Sequence, residues 1–242
     1  MQTFEIAAHD VTNVDEKSEV ARGAPLARLL ERAQKFRAGP RSPIADLGRG
    51  FVYIVAKGVA ALQSTTGENT HTVTELLYAG DILVPELQPP LPGLMLLANR
   101  PVEFSKLTIS ALADASMRDS RLWQAVFQRL NAQNARAQLH IATTSSLTCE
   151  QRIAGFLIEI GSRLGAANRG ALSFDLPLSR YSMADYLSLN ADTVSRTLSG
   201  LVTRRIIERR GRSQIIVRDW AALFDMCPLG GAIAAVHGTK SQ

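Results

Sequence analysis

The sequence predicts an α+β protein with a β-rich N-terminal domain, a long helix suited to pairing two copies, and a C-terminal winged helix-turn-helix. Three observations carry that prediction. Short β-rich runs crowd residues 44–110, a heptad-like apolar seam runs through 119–144, and an arginine-rich stretch beyond residue 178 joins two short helical patterns to a hairpin.

The chain has 242 residues, enough for two compact domains, and its 46% hydrophobic and 20% charged residues are ordinary for a globular protein. No run approaches the roughly 18 apolar residues of a membrane helix. The first residues mix acids, polar groups and His9, which does not fit a signal peptide, so the expectation is a cytoplasmic protein without a membrane partner. Cys149 and Cys227 lie far apart with no histidine at ligand spacing, which argues against a disulfide framework or a cysteine-rich metal site. The net charge of +5 is concentrated: Arg196, Arg204, Arg205, Arg209, Arg210, Arg212 and Arg218 face a single acid, Glu208. Such a run is usually a solvated face; here it overlaps a second signal, and guanidinium forks suit phosphates and guanine edges.

In order along the chain, residues 1–24 read as a leader. Residues 25–38 carry Leu26, Leu29, Leu30 and Ala33 at helical spacing behind Pro25 and read as a helix. The runs Phe51–Ala56, Val59–Gln63, His71–Leu77, Ile82–Val84, Leu94–Ala98 and Phe104–Ile109 are punctuated by Gly and Pro, as in a small antiparallel barrel or sandwich. The β-rich domain is placed at 25–117. In the helix that follows, 118–146, Trp123, Phe127, Leu130, Asn134, Ala137, Ile141 and Thr144 recur in steps of four and three. A buried core helix shows the same pattern, but polar Asn134 and small Ala137 favour a close parallel pairing of two helices. A second domain, 147–228, opens with a helix at Glu150–Leu164 closed by Gly161 and Gly165, then a turn over 165–170 and a strand Ala171–Leu176. Residues 229–242 read as a tail.

Leu178–Ile207 is the informative segment. Ser179 or Ser182 caps a short helix that turns inward Met183, Ala184 and Leu187, and Ser188–Asn190 makes a three-residue turn. Asn190 caps the next helix, in which Val194, Leu198 and Leu201 face a core while Asp192, Ser195, Arg196 and Ser199 share the opposite face. This is a helix-turn-helix whose second helix, Ala191–Thr203, carries base-reading chemistry. Arg196 suits the O6/N7 pair of guanine, Asp192 the amine of cytosine, and Ser195 a base edge; Asp192 also suits the helix dipole. Ser179, Arg180, Asn190, Thr193 and Ser199 are placed to meet phosphates, and Arg212 tips a hairpin formed by 206–210 and 214–218, the wing.

Taken together, this layout resembles the CRP/FNR superfamily of bacterial transcription regulators. Asp192-Thr193-Val194-Ser195-Arg196 resembles the Glu-x-x-Ser-Arg reading motif of its FNR and FixK branch, with Asp for Glu shortening the reach by one methylene. Tyr78-Ala79-Gly80-Asp81-Ile82 is similar to a turn of the family's β-domain. The resemblance implies a cyclic-nucleotide-binding-like β-roll, a homodimer on double-stranded DNA at a palindromic TTGAT-like promoter site, and RNA polymerase as a partner.

No cofactor is expected from the residues. Glu86 matches the acid of a cyclic-nucleotide pocket, but no arginine with an adjacent hydroxyl follows it, and Arg100 precedes Pro101. An iron–sulfur cluster of the family's type needs several N-terminal cysteines, and none precedes Cys149. Haem on His71 or His9, or another small molecule in the β-domain, stays open, as does a redox response at Cys149 near the domain hinge. No nucleophile–base set or phosphate loop supports an enzyme. The remaining rival is a DNA-binding architectural protein without sequence preference.

Overall fold

The computed structural model describes residues 25–68, 70–168 and 171–238; the leader 1–24 with His9, and the last four residues of the tail, lie outside them. Residues 51–56, FVYIVA, are apolar at every position rather than at alternate ones, as befits a strand covered on both faces. That strand, β3 (Phe51–Lys57), lies in an antiparallel sheet ordered β1 (Gln34–Ala38), β8 (Val102–Thr108), β3, β6 (Ile82–Leu83). A second antiparallel sheet is ordered β2 (Arg41–Pro43), β7 (Met95–Leu97), β4 (Ala60–Gly67), β5 (Thr70–Leu77).

Tyr53, Val55, Leu83 and Phe104 from the first sheet share a core with Leu62, Leu77 and Leu96 from the second. The opposite face of β3 and β6, at Val52, Ile54 and Ile82, is sealed by Leu26 of α1 (Pro25–Glu31), Leu112 of α2 (Ile109–Arg118), and Leu122 and Val126 of α3 (Ser120–Ser146). Each such side chain contributes about 1.5–3 kcal/mol on burial.

The helix expected over 25–38 ends at Glu31, and Gln34–Ala38 is strand β1 instead. Long-range packing overrides the local pattern. Phe36 pairs across the sheet with Phe104 and stacks edge-on against Tyr53 at 5.4 Å, contacts that one more helical turn would forfeit. A further helix, α2, stands where only the end of the β-domain was expected; the Thr108 side chain caps it by accepting from the Ala111 amide.

The C-terminal half is built on α4 (Cys149–Leu164), buried continuously from Ile153 to Gly161 and started by a capping box of Thr148 and Gln151. Around it stand α5 (Arg180–Leu187), α6 (Ala191–Thr203), α7 (Trp220–Asp225) and α8 (Gly230–Gly238). A four-stranded antiparallel sheet completes the domain, ordered β11 (Ile207–Arg210), β12 (Gln214–Val217), β10 (Ala171–Asp175), β9 (Ala166–Asn168). The turn expected over 165–170 thus contains a strand. Gly161 does not end α4 but lies within it, because α7 packs there: a Cβ would stand 2.7 Å from the Trp220 ring. The segment read as a tail includes α8, which buries Ile233 and His237 against α4. Among the described residues, no helix is long and apolar enough to cross a membrane.

Candidate nucleic-acid interface

The helix-turn-helix is set by local sequence and then locked from outside. Ser179 accepts from the Ser182 amide at 3.1 Å and starts α5; Asn190 Oδ1 accepts from the Thr193 amide at 2.7 Å and starts α6. Between the helices Ser188 takes a left-handed conformation, φ 53°. Arg152 of α4 steadies that turn, its Nη1 donating to the Leu187 carbonyl at 3.1 Å and the Ser188 carbonyl at 3.3 Å. Val194, Leu198 and Leu201 are buried, which fixes the roll of α6 about its axis.

That roll turns Asp192, Arg196 and Ser199 to solvent, with Thr193 and Ser195 half-buried beside them. Asp192, Ser195, Arg196 and Ser199 share one side of α6, and Thr193 lies in its first turn. Their hydrogen-bonding capacity is sharper than the sequence shows. Ser195 Oγ donates to the Ala191 carbonyl at 2.9 Å, so its lone pairs face outward and it presents an acceptor. The side-chain oxygens of Ser179 and Asn190 are engaged as caps, which leaves Asn190 its amide donors for an incoming phosphate.

One neighbour was not singled out in the sequence. Tyr181, 61% exposed at the start of α5, receives a hydrogen bond from Arg180 at 2.8 Å and lies 4.8 Å under its guanidinium. The Tyr181 hydroxyl, and more weakly the Asp192 carboxylate, hold Arg180 above its ordinary pKa. The signal was an aromatic beside an arginine at a helix start, in a position where burial has no claim on it.

β11 and β12 form the wing with Gly211 at φ 60° in its turn and Arg212 exposed at its tip. Not every arginine is available for a polyanion. Glu208 binds both Arg210, at 2.8 Å, and Arg218, and Glu150 lies 3.7 Å from Arg204. Among the described residues, no acid forms an ion pair with Arg196, Arg205, Arg209 or Arg212.

The long helix α3 packs Leu122 and Val126 inward along its first half and turns polar inward further on. Gln133 and Arg136 lie on that inward face, whereas Trp123, Phe127, Leu130 and Ile141, exposed by 61%, 58%, 43% and 65%, line up outward with exposed Asn134 and Ala137. Cys149 is exposed at the first turn of α4, and Cys227 is buried, its thiol pushed up by desolvation. His71 Nδ1 lies 3.4 Å from Thr65 Oγ1. Glu86 accepts from the Gly50 amide at 3.2 Å and lines an open cleft of about 600 Å³ with Ile44, Arg49, Pro90 and Met95. Among the described residues, no three His, Cys, Asp or Glu side chains converge to hold a metal.

Residues 151–226 match the Crp-like helix-turn-helix domain. The transcriptional activator FnrL of Cereibacter sphaeroides is 40% identical over 82 residues, 32% of this chain and 33% of FnrL. The nitrogen fixation regulator FixK of Azorhizobium caulinodans is 33% identical over 103 residues, 42% of this chain and 40% of FixK. The solved structure of FixK2 from Bradyrhizobium japonicum superposes with a TM-score of 0.66 at 25% identity, covering 81% of this chain and 97% of that one. The chain thus carries a Crp-like helix-turn-helix domain and is similar to regulators of the FNR and FixK type. The likeness to FixK2 extends over the β-roll, the long helix and the Crp-like domain together. The matched stretches span a third to two fifths of those curated relatives.

Proposed function

We propose that this chain regulates transcription by binding, as a homodimer, a palindromic TTGAT-like promoter site. One observation carries the reading: buried Val194, Leu198 and Leu201 orient α6 so that Asp192, Ser195 and Arg196 present an acid, an acceptor and a guanidinium on one open face. That set matches cytosine amine, a base-edge donor and guanine O6/N7 in a major groove. Arg180, Thr193, Ser199 and Arg212 would take phosphates around it, and Ser179 and Asn190 would do so through the groups their caps leave over. The outward stripe of α3 supports pairing, since an apolar face on a helix whose other face is already packed gains by meeting its copy.

The test is fluorescence anisotropy on a TTGAT palindrome and a scrambled duplex across a salt series. A tighter palindrome, with affinity falling steeply as salt rises, is expected. Equal affinities would assign an architectural role instead. RNA polymerase as a partner is checked by promoter transcription with purified components.

The space between the β-roll and the long helix is small. Where α3 meets β5, Gln133 and Arg136 line a cavity of only about 20 Å³. The second reading, a small-molecule effector in the β-roll, is favoured by the Glu86 cleft. A compound that changes DNA affinity in the native chain but not after Met95→Trp would select it.

A further inference from the structure

The most polar part of the interior lies where the β-roll meets the reading domain. Glu159, midway along α4, is 7% exposed. Tyr78, just beyond β5, donates to its Oε1 at 2.5 Å, and Tyr186 of α5 donates to both oxygens at 3.2 Å. One carboxyl is thus gripped by the sensor-side domain and by the first helix of the helix-turn-helix.

Ionisable groups face it from every packed element. α3 supplies Arg136 and His140, the latter stacked on Tyr186 at 4.0 Å. α4 adds Arg163, 5.1 Å from the Tyr78 ring, and α8 adds His237, whose Nδ1 lies 3.9 Å from Glu159 Oε1 without a hydrogen bond. β5 brings Glu75, bonded by Gln133, and the turn after it brings Asp81, which binds Arg136 at 2.5 Å. From α5, Asp185 reaches Gln63 instead.

We propose that Glu159 is a proton-controlled positioning residue that fastens the reading head to the β-roll, more tightly with a proton on its carboxyl than without. A buried carboxylate is expensive even with two phenol donors, whereas the acid form keeps an acceptor for one tyrosine and sheds the charge. Burial pushes Glu159 up to about 7 against the pull of Tyr78, Tyr186, Arg136 and Arg163. His140 and His237, held down to about 4 and about 3 chiefly by burial, are neutral over the same range. When the domains part, water returns the carboxyl to its ordinary range and a proton leaves. The fastening itself does not depend on DNA; its effect on DNA affinity rests on the function proposed above.

Amide hydrogen exchange on the DNA-free full chain tests it. Protection of the α5 and Tyr78 amides is compared between the native chain and Glu159→Gln, which mimics the neutral acid. The ratio of native to variant protection is expected to fall about tenfold from pH 6 to 8, the change due from a group titrating near 7 only when closed. Histidine contributions cancel in that ratio. A ratio constant within about twofold would overturn the proposal. Tyr78→Phe supplies the second arm: losing a donor to the carboxylate should move the midpoint of the native pH dependence upward, and an unmoved midpoint also overturns it.

Discussion

Asp192 and Arg196 stand one helical turn apart on α6, both open to solvent, while Arg212 stands alone at the wing tip. The difference in placement predicts a difference in kind. Arg196→Ala should cost about 1–3 kcal/mol on the palindrome and erase discrimination at one G·C pair per half-site. Arg212→Ala should weaken every sequence alike and reduce the salt slope by about 1. Anisotropy on single-base variants and a salt titration separate the two. Loss on all sequences for both would remove the distinction between reader and wing. Tyr181 marks the limit of reading at this scale, since its exposure comes from packing around α5 and not from its own hydrophobicity.

At the scale of the element, each helix is aimed by its buried side. Leu198 is 3% exposed under α6, so Leu198→Ala should lower stability by about 2–5 kcal/mol in urea unfolding and loosen the presentation of Asp192 and Arg196. In α3 the logic runs outward. Phe127, 58% exposed, lies mid-stripe, so Phe127→Glu should leave the isolated fold intact, with an unchanged far-ultraviolet spectrum, while sedimentation shows a monomer. A Phe127→Glu chain that still sediments as a dimer would move the pairing surface elsewhere. The periodicities of both helices were legible in the sequence because core and seam repeat at fixed spacing. β1 was not: its helical pattern yields to the Phe36–Tyr53–Phe104 cluster, whose members are separated by up to 68 positions in the chain.

For the whole molecule, the decisive feature is the shared interior. A single cluster joins Ala61, Val73, Leu76 and Tyr78 of the β-roll to Phe156, Leu187 and Leu198 of the reading domain. Asn99 donates to the Pro177 carbonyl at 2.9 Å and Arg100 meets Asp175 at 3.1 Å along its edge. Its protons give stability a defined pH dependence. His140 and His237 are depressed from 6.5, so their contribution is complete above about 6.5 and is lost as pH falls toward 4. Glu159 is raised from 4.5 to about 7, so its contribution is complete below 4.5 and is lost as pH rises to 7. From pH 5 to 6 the histidine and carboxyl effects therefore oppose each other. Glu159→Gln should steepen the rise of stability over that interval by about one proton, read from urea midpoints at each pH. An unchanged slope would mean that Glu159 is ionised in the folded chain there.

The sequence by itself determined the second helix of the helix-turn-helix, its caps, its exposed acid and guanidinium, the hairpin after it, and the apolar stripe of α3, because each is a local pattern a dozen or so residues long. Only the tertiary structure decided the course of β1, the place of α8, the acceptor role of Ser195 and the engagement of Glu159 by Tyr78 and Tyr186. Those depend on which groups share a dry interior, and a lone buried glutamate, 81 residues from one partner and 27 from the other, leaves no periodic trace.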